Sequence, residues 1–256
     1  MSKQKYWVPA LERANLILEQ IAKHPKELRL IDLSKKLEIN KSSMYSLLNT
    51  LESLGWIHKE KSETYSLGSV LGFIGSTYLN QFNILEAFSR EARKAIEVVD
   101  EHIQLGKLIG NEVFYIGREQ GSSPVRLVTD PGMRYPSYAS AIGKIQLINY
   151  NYDELKEMFP NYNFEKKTEQ TVENVDQLWE QVQQAKEDGY VVEEQEGAEG
   201  FYCVAAPVYD HDNKVAYGVS FTMTETSWVK KRENAKIQIT KLANILSVSN
   251  GYIGHS

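Results

Sequence analysis

The sequence predicts an α+β fold in two parts, a winged helix-turn-helix followed by a larger domain with a mostly antiparallel sheet flanked by helices. Three observations carry this expectation. Near the N-terminus, apolar residues recur at helical spacing and then give way to a short strand-turn-strand pattern. Further along, alternating strand-like runs come in groups with helical segments between them. Charge also divides along the chain: residues 1–80 hold eleven Lys and Arg against eight Asp and Glu, net +3, while the remainder holds eighteen against twenty-six, net −8. A basic piece on an acidic body fits a nucleic-acid-binding module joined to a domain with another task.

Composition sets the bounds. With 256 residues, 42% hydrophobic and 25% charged, the chain can build two cored domains of ordinary size. It has no apolar run of about eighteen residues, and MSKQKYWVPALERA lacks a secretory signal's apolar segment and cleavage site, so a cytoplasmic protein without a membrane span is expected. Cys203 is the single cysteine, which excludes an internal disulfide framework and a multi-thiolate metal site, and the five histidines are scattered. No metal or cofactor is expected. Nor is an enzyme: GxSxG, GxxxxGK[ST] and HExxH are absent, and nothing local brings His102 or His211 to Cys203.

Taken in order, Leu11, Ala14, Ile17, Leu18 and Ile21 mark a first helix that HPKE ends. LRL, Leu28 to Leu30, reads as a small strand, and IDLSKKL gives two helical turns with Leu33 and Leu37 inward. After a three-residue turn, EIN, the segment Asn40 to Leu54 puts Met44, Leu47, Leu48, Leu51 and Leu54 on one arc. Asn40 suits the N-cap and Gly55 the C′ position. The opposite arc carries Ser42, Tyr45, Ser46, Asn49 and Ser53, short hydrogen-bonding groups and one aromatic rather than Glu/Lys pairs. Such a face suits base edges and phosphates, although an ordinary solvated helix shares it. Trp56 to His58 and TYSL then form a hairpin around KEKSE, a wing whose Lys59 and Lys61 can reach the DNA backbone, or else simply solubilise a surface loop.

The run LRLIDLSKKLEINKSSMYSLLNTLESLGWIHKEKSETYSLG resembles the N-terminal domain of the isocitrate lyase regulator (IclR) family of bacterial transcription regulators. The resemblance implies a winged helix, a linker helix and a C-terminal GAF-like effector domain, with boundaries at 1–67, 68–82 and 83–256. It implies a homodimer or homotetramer acting on a pseudo-palindromic operator in double-stranded DNA and controlled by a small-molecule effector, as a repressor sooner than as an activator, the choice between the two depending on where the operator lies. Lys41, Ser42, Ser43, Tyr45, Ser46, Asn49, Lys59 and Lys61 are the expected DNA contacts. Two departures stand out: Ser46 sits where the family commonly has a basic residue, and Ile31 where the second helix is commonly capped by Ser or Thr, a change expected to cost about 1 kcal/mol. The linker GSVLGFIGSTYLNQ has Val70, Leu71, Ile74, Tyr78 and Leu79 at helical spacing, with Gly72 and Gly75 as contact points for another helix or as a hinge.

In the second domain, Ile84 to Glu101 is strongly amphipathic through Leu85, Phe88, Ala92, Ala95, Ile96 and Val99. HIQLGKLIG and EVFYIGREQ flank Gly110-Asn111 as a hairpin, and VRLVTDPG reads as a strand ending in a Pro-Gly turn. GYVVEEQ, FYCVAAPVYD and KVAYGVSFTM are strands; Ile142 to Asn149, Asp153 to Phe159, Val175 to Glu187 and a last segment through Ile239, Leu242, Ala243 and Leu246 are helices.

RYPSYASAIGKIQL carries the chemistry. Small residues at a helix start leave backbone N–H groups accessible to a carboxylate or phosphate, unless they serve only tight packing. The segment resembles the family's effector-loop motif, with Tyr138 in place of a histidine and Ser140 in place of a threonine. YCVAAPVYD resembles the family's cysteine-led strand. By that likeness the effector site takes Tyr138, Ala139, Ser140, Ala141, Cys203, Ser220, Thr222 and an acidic residue, Glu193 by position, with Glu194 and Glu196 competing. Period two puts Ser220 and Thr222 on one face, and a buried, inert role is the alternative for Cys203. A small, polar, anionic metabolite is the expected effector. The alternative to a regulator is a ligand-binding module whose helix-turn-helix serves protein contacts.

Overall fold

The computed structural model describes residues 7–81, 83–123, 129–160 and 164–254. The chain divides into two compact units, Met1–Phe82 and Asn83–Ser256.

In the first unit, α1 (Pro9–Lys23), α2 (Leu30–Lys36) and α3 (Lys41–Ser53) precede a two-stranded hairpin, β1 (Ile57–Lys59) and β2 (Tyr65–Leu67). Ile17, Ile21, Leu33, Met44, Leu48, Leu51 and Ile57 close its core. The strand expected at LRL shrinks to a single bridge between Arg29 and Thr64. Leu30 already begins α2, and the Arg29 N–H is taken by Asp32 at 3.0 Å. The N-cap is thus Arg29 rather than Ile31, with Asp32 reaching back to it from the third helical position; Arg29 makes no side-chain cap bond, so the shortfall expected at Ile31 falls on Arg29 instead. Leu54 is a second correction: it is 51% exposed, because α3 ends at Ser53 and the chain turns through Gly55 at φ +70°. Gly55 also lies under Gly68, where an added Cβ would meet the Gly55 carbonyl oxygen at 2.1 Å.

The linker forms α4 (Ser69–Gln81). Phe73 and Ile74 are exposed, and Gly72 and Gly75 face open space. The side chains of Tyr78 and Leu79 lie outside the described residues.

The second unit is built on a six-stranded antiparallel sheet in the order β5-β4-β3-β8-β7-β6. Its strands are β3 (His102–Ile109), β4 (Glu112–Glu119), β5 (Arg134–Pro136), β6 (Val191–Glu194), β7 (Phe201–Tyr209) and β8 (Val215–Thr224). Five of the six follow the sequence expectation. VRLV of the remaining expected strand lies outside the described residues, and the short β5 beyond the Pro-Gly turn was not anticipated; three residues ending in proline at a sheet edge give little pattern to read. Along β7, Val204, Ala206 and Val208 alternate with Cys203 and Ala205, sending two sets of side chains to opposite faces.

Helices cover both faces. The long α9 (Glu225–Ser249) packs on β7 and β8 beside α5 (Ile84–Val99), whose Phe88, Ala92, Ala95 and Val99 are buried while Leu85 stays 42% exposed. On the other face α6 (Ala141–Leu147) lies against β8, β7 and β3, with α8 (Val175–Asp188) against α6 and α7 (Tyr152–Met158) against α8. Gly143 makes this approach possible: a Cβ there would sit 2.2 Å from the Ser137 carbonyl oxygen.

Candidate functional site: the α3 surface and a cavity beside α6

The α3 surface is assembled from its cap outward. Asn40 Oδ1 accepts the Ser43 N–H at 2.9 Å and the Ser42 hydroxyl at 2.8 Å. Ser46 Oγ donates back to the Ser42 carbonyl at 3.1 Å, and Thr50 Oγ1 to that of Ser46 at 2.8 Å. These hydroxyls therefore spend their protons inside the helix and present acceptor lone pairs outward. Tyr45, 59% exposed, and Asn49, also exposed, face outward with donors of their own. Lys41 is exposed and makes no ion pair among the described residues.

The wing differs from expectation in one respect. Lys59 pairs with Glu63 at 2.6 Å within the hairpin, and that hydrogen bond holds its ammonium pKa up. Lys61 makes no such pair among the described residues, so its charge is the less compensated of the two.

In the second unit, a cavity of about 60 Å³ lies between the sheet and the start of α6. Seven of the eight residues expected at the effector site line it: Ala139, Ser140, Ala141, Glu193, Cys203, Ser220 and Thr222. The sheet register explains the clustering, for Glu193 pairs with Cys203 and Cys203 with Thr222 on adjacent strands, while Ser220 pairs with Gln104. Tyr138 is the exception. It occupies the middle of the 3₁₀ turn Ser137–Ala139, stacks on Phe164 with centroids 4.2 Å apart, and donates to the Glu165 carbonyl at 3.0 Å. Aromatic packing thus turns it out of the cavity wall.

Sequence reasoning missed Gln104, Tyr115, Thr129, Tyr135, Ile142, Gly197, Ala198 and Phe201. Gln104 was within reach, since alternation in HIQLGKLIG separates His102 and Gln104 from their apolar neighbours. Its amide donates to the Thr129 carbonyl at 2.9 Å, and Tyr135 Oη donates to the Gly197 carbonyl at 2.5 Å, drawing the loop after β6 across the cavity.

Glu193 settles the competition among the three acids for the cavity wall: it lines the cavity, whereas Glu196 turns to Lys144 and Glu194 is exposed. Burial raises the Glu193 pKa, opposed by the charge of Lys144 and by the Gly197 N–H that its Oε1 accepts at 2.9 Å. Burial likewise pushes the Cys203 thiol well up, with the Glu193 charge adding to it, so Cys203 stays protonated beside Thr222 Oγ1 at 3.4 Å. Ser140 caps α6 through its Oγ, which accepts the Gly143 N–H at 3.1 Å. No Lys, Arg or His is among the lining residues. Behind the wall, Lys144 is fully buried against Glu196, Nζ to Oε1 2.5 Å. Among the described residues there is no cluster of His, Cys, Asp and Glu able to hold a metal ion, and no helix long and apolar enough to cross a membrane.

Comparison with known proteins accounts for both units. The family described as IclR helix-turn-helix domain matches residues 10–61, and that described as bacterial transcriptional regulator IclR C-terminal matches residues 76–248. The HTH-type transcriptional regulator KdgR of Escherichia coli is 27% identical over 254 residues, covering 98% of this chain and 96% of that protein. XynR of the same organism is 29% identical over 248 residues, with 96% and 98% covered. Among solved structures, the Agobacterium tumefaciens repressor BlcR superposes with a TM-score of 0.76 at 25% identity over 96% of this chain and 99% of that one. The Thermotoga maritima IclR does so at 0.63 and 27%, over 95% and 99%. The chain belongs to the IclR family and is a ligand-responsive, DNA-binding transcriptional regulator rather than an enzyme.

Proposed function

We propose that the chain is a repressor, active as a homodimer or homotetramer, that binds a pseudo-palindromic operator through α3 and the wing and answers to a small anionic metabolite held in the cavity. The cavity carries this reading: it joins hydroxyls from Ser140, Ser220 and Thr222 to the buried Glu193 at the first turn of α6. At roughly 10–15 Å³ per water on this measure, it has room for about four to six waters, which sets the scale of the effector. No lining side chain is cationic, so an anion there relies on backbone N–H groups at the start of α6 and on the hydroxyls of Ser140, Ser220 and Thr222, and burial, by raising the Glu193 pKa, works against the charge that would repel it.

Repression is supported by relatives bearing that description, among them AllR of Salmonella typhimurium, 25% identical over 230 residues. Oligomerisation is supported by the exposed Phe73 and Ile74 beside Gly72 and Gly75 on α4, and a two-fold dimer would space its recognition helices to match two half-sites. We place the DNA contacts at Lys41, Ser42, Ser43, Tyr45, Ser46, Asn49 and Lys61, with Lys59 secondary because Glu63 holds it, and assign the effector contacts to the seven cavity residues.

Two measurements test the reading. Tyr45→Ala with Asn49→Ala should abolish specific operator binding in a footprinting titration without changing the melting temperature; unchanged affinity would remove α3 from the interface. A thermal-shift screen of small organic and sugar acids should find one that stabilises the chain, by about 2.7 kcal/mol at 100 times its Kd. If only neutral compounds stabilise it, the effector is not an anion.

A further inference from the structure

On the first unit, α1 and α3 meet along an open groove lined by Pro9, Ala10 and Arg13 from one helix and by Ser42, Ser43, Ser46 and Leu47 from the other. Arg13 is exposed and has neither a hydrogen bond nor an ion pair among the described residues. Its helical neighbours explain why. The positions three and four residues away are Ala10, Leu16, Pro9 and Ile17, so no carboxylate stands where an i, i+3 or i, i+4 partner would be. Across the groove, the first turn of α3 contains no acidic residue either. The hydroxyls of Ser42 and Ser46 that share the groove point their protons into the helix, which leaves the guanidinium as the charged donor among the groove-lining residues.

We propose that Arg13 is a DNA-backbone contact, a guanidinium on α1 that clamps the phosphate running beside the first turn of α3. It supplies from the neighbouring helix the positive charge that Ser46 does not supply on α3. An arginine is suited to this because its planar fork meets two phosphate oxygens at once. Since the contact is to phosphate, it adds affinity without choosing a base, and it orients the Tyr45 and Asn49 face over the groove. The proposal rests on α3 being the recognition helix.

The test uses the full chain and an operator duplex selected by the wild-type protein from random sequence, with binding followed by fluorescence anisotropy across a salt series. Arg13→Gln should weaken binding and make the slope of log K against log salt shallower by about 0.9 for each Arg13 engaged. Arg13→Lys should keep most of that slope, and Ser46→Arg added to Arg13→Gln should restore it, because the two positions line the same groove. A slope unchanged in Arg13→Gln, with an unchanged melting temperature, overturns the assignment. The Tyr45→Ala, Asn49→Ala variant, run alongside, separates the failures. If it loses binding while Arg13→Gln does not, only the Arg13 proposal falls; if it binds as wild type, the placement of α3 falls and takes the Arg13 contact with it.

Discussion

Replacing Lys144 by methionine should destabilise the effector domain more than any other single change behind the cavity. The lysine side chain is fully buried and lies 2.5 Å from a Glu196 carboxylate that is itself only 7% exposed. Methionine keeps the apolar stem but leaves that carboxylate with Gln181, at 3.3 Å, as its remaining side-chain donor, while its second oxygen already lacks a partner among the described residues. Removing one member of a buried pair costs about 3–5 kcal/mol. For a domain of this size, each kcal/mol moves the melting temperature by roughly 2–4 °C, so the loss should be about 6–20 °C.

Glu196→Gln should cost less. Burial already lowers the Lys144 pKa and Glu196 chiefly holds it up, so without Glu196 the lysine can shed its proton. Lys144→Met with Glu196→Met removes both charges and should recover most of the loss. The lowered pKa also has a sign in pH. Between its folded value and 10.5 the unfolded chain binds more protons, so this group's contribution to stability rises with pH across that window, and the Lys144→Met variant lacks the rise. Melting and urea titration of the four proteins check this. A Lys144→Met loss below about 1 kcal/mol, far under the cost of orphaning a buried ion, would refute the reasoning, as would a double variant worse than both singles.

Three further outcomes are expected. The raised Glu193 pKa means that its stabilising contribution is present below 4.5 and is lost as pH rises through the folded value, so Glu193→Gln should melt progressively above wild type toward alkaline pH, and anionic effectors should bind it without the wild type's weakening on alkalinisation. Calorimetric titration with the effector at several pH values reads the second part. Tyr138→Phe should cost no more than about 1 kcal/mol, the worth of its bond to Glu165, and should leave effector affinity intact, because the ring points away from the cavity. Gly143→Ala should lower the melting temperature sharply and broaden effector response, since its Cβ would meet the backbone of Ser137 rather than a movable side chain.

Much of this was legible in the sequence because it is local. Asn40 capping α3, Gly55 ending it, and Gly110-Asn111 turning a hairpin are decided within a few residues. The stripe Met44, Leu48 and Leu51 is a matter of helical period, and Ser220 with Thr222 of strand period. What escaped depends on contacts distant in sequence. Alternation set Gln104 apart from its apolar neighbours, but that it and Tyr115 reach the cavity follows from β3 lying between β8 and β4, a sheet order that alternation does not give. Tyr138 was drawn off by Phe164, a packing partner twenty-six residues ahead. Leu54 satisfied the helical period, but the helix had already ended. The Lys144–Glu196 pair joins α6 to the loop after β6, and three neighbouring acids offered no local ground for choosing between them.

The ladder Glu193–Cys203–Thr222 limits how the cavity can change in molecular evolution and redesign. Three of its contacts are fixed to one rung of a hydrogen-bonded sheet, so none can drift by a fraction of a residue, and a one-residue slip would swing a whole strand's set to the opposite face. Retuning at those points must come by exchange of side chains in place. The loop from Gln195 at φ +58° to Gly200 at φ +80° belongs to no rung, yet it is held as well, by Tyr135 on the Gly197 carbonyl, by Thr168 and Thr171 on the Gln195 and Glu196 carbonyls, and by the Lys144–Glu196 pair. A lineage, or an engineer, seeking to fit a larger molecule in the cavity therefore has side-chain exchange on the rung as its route, since lengthening the loop would break the bonds that pin it.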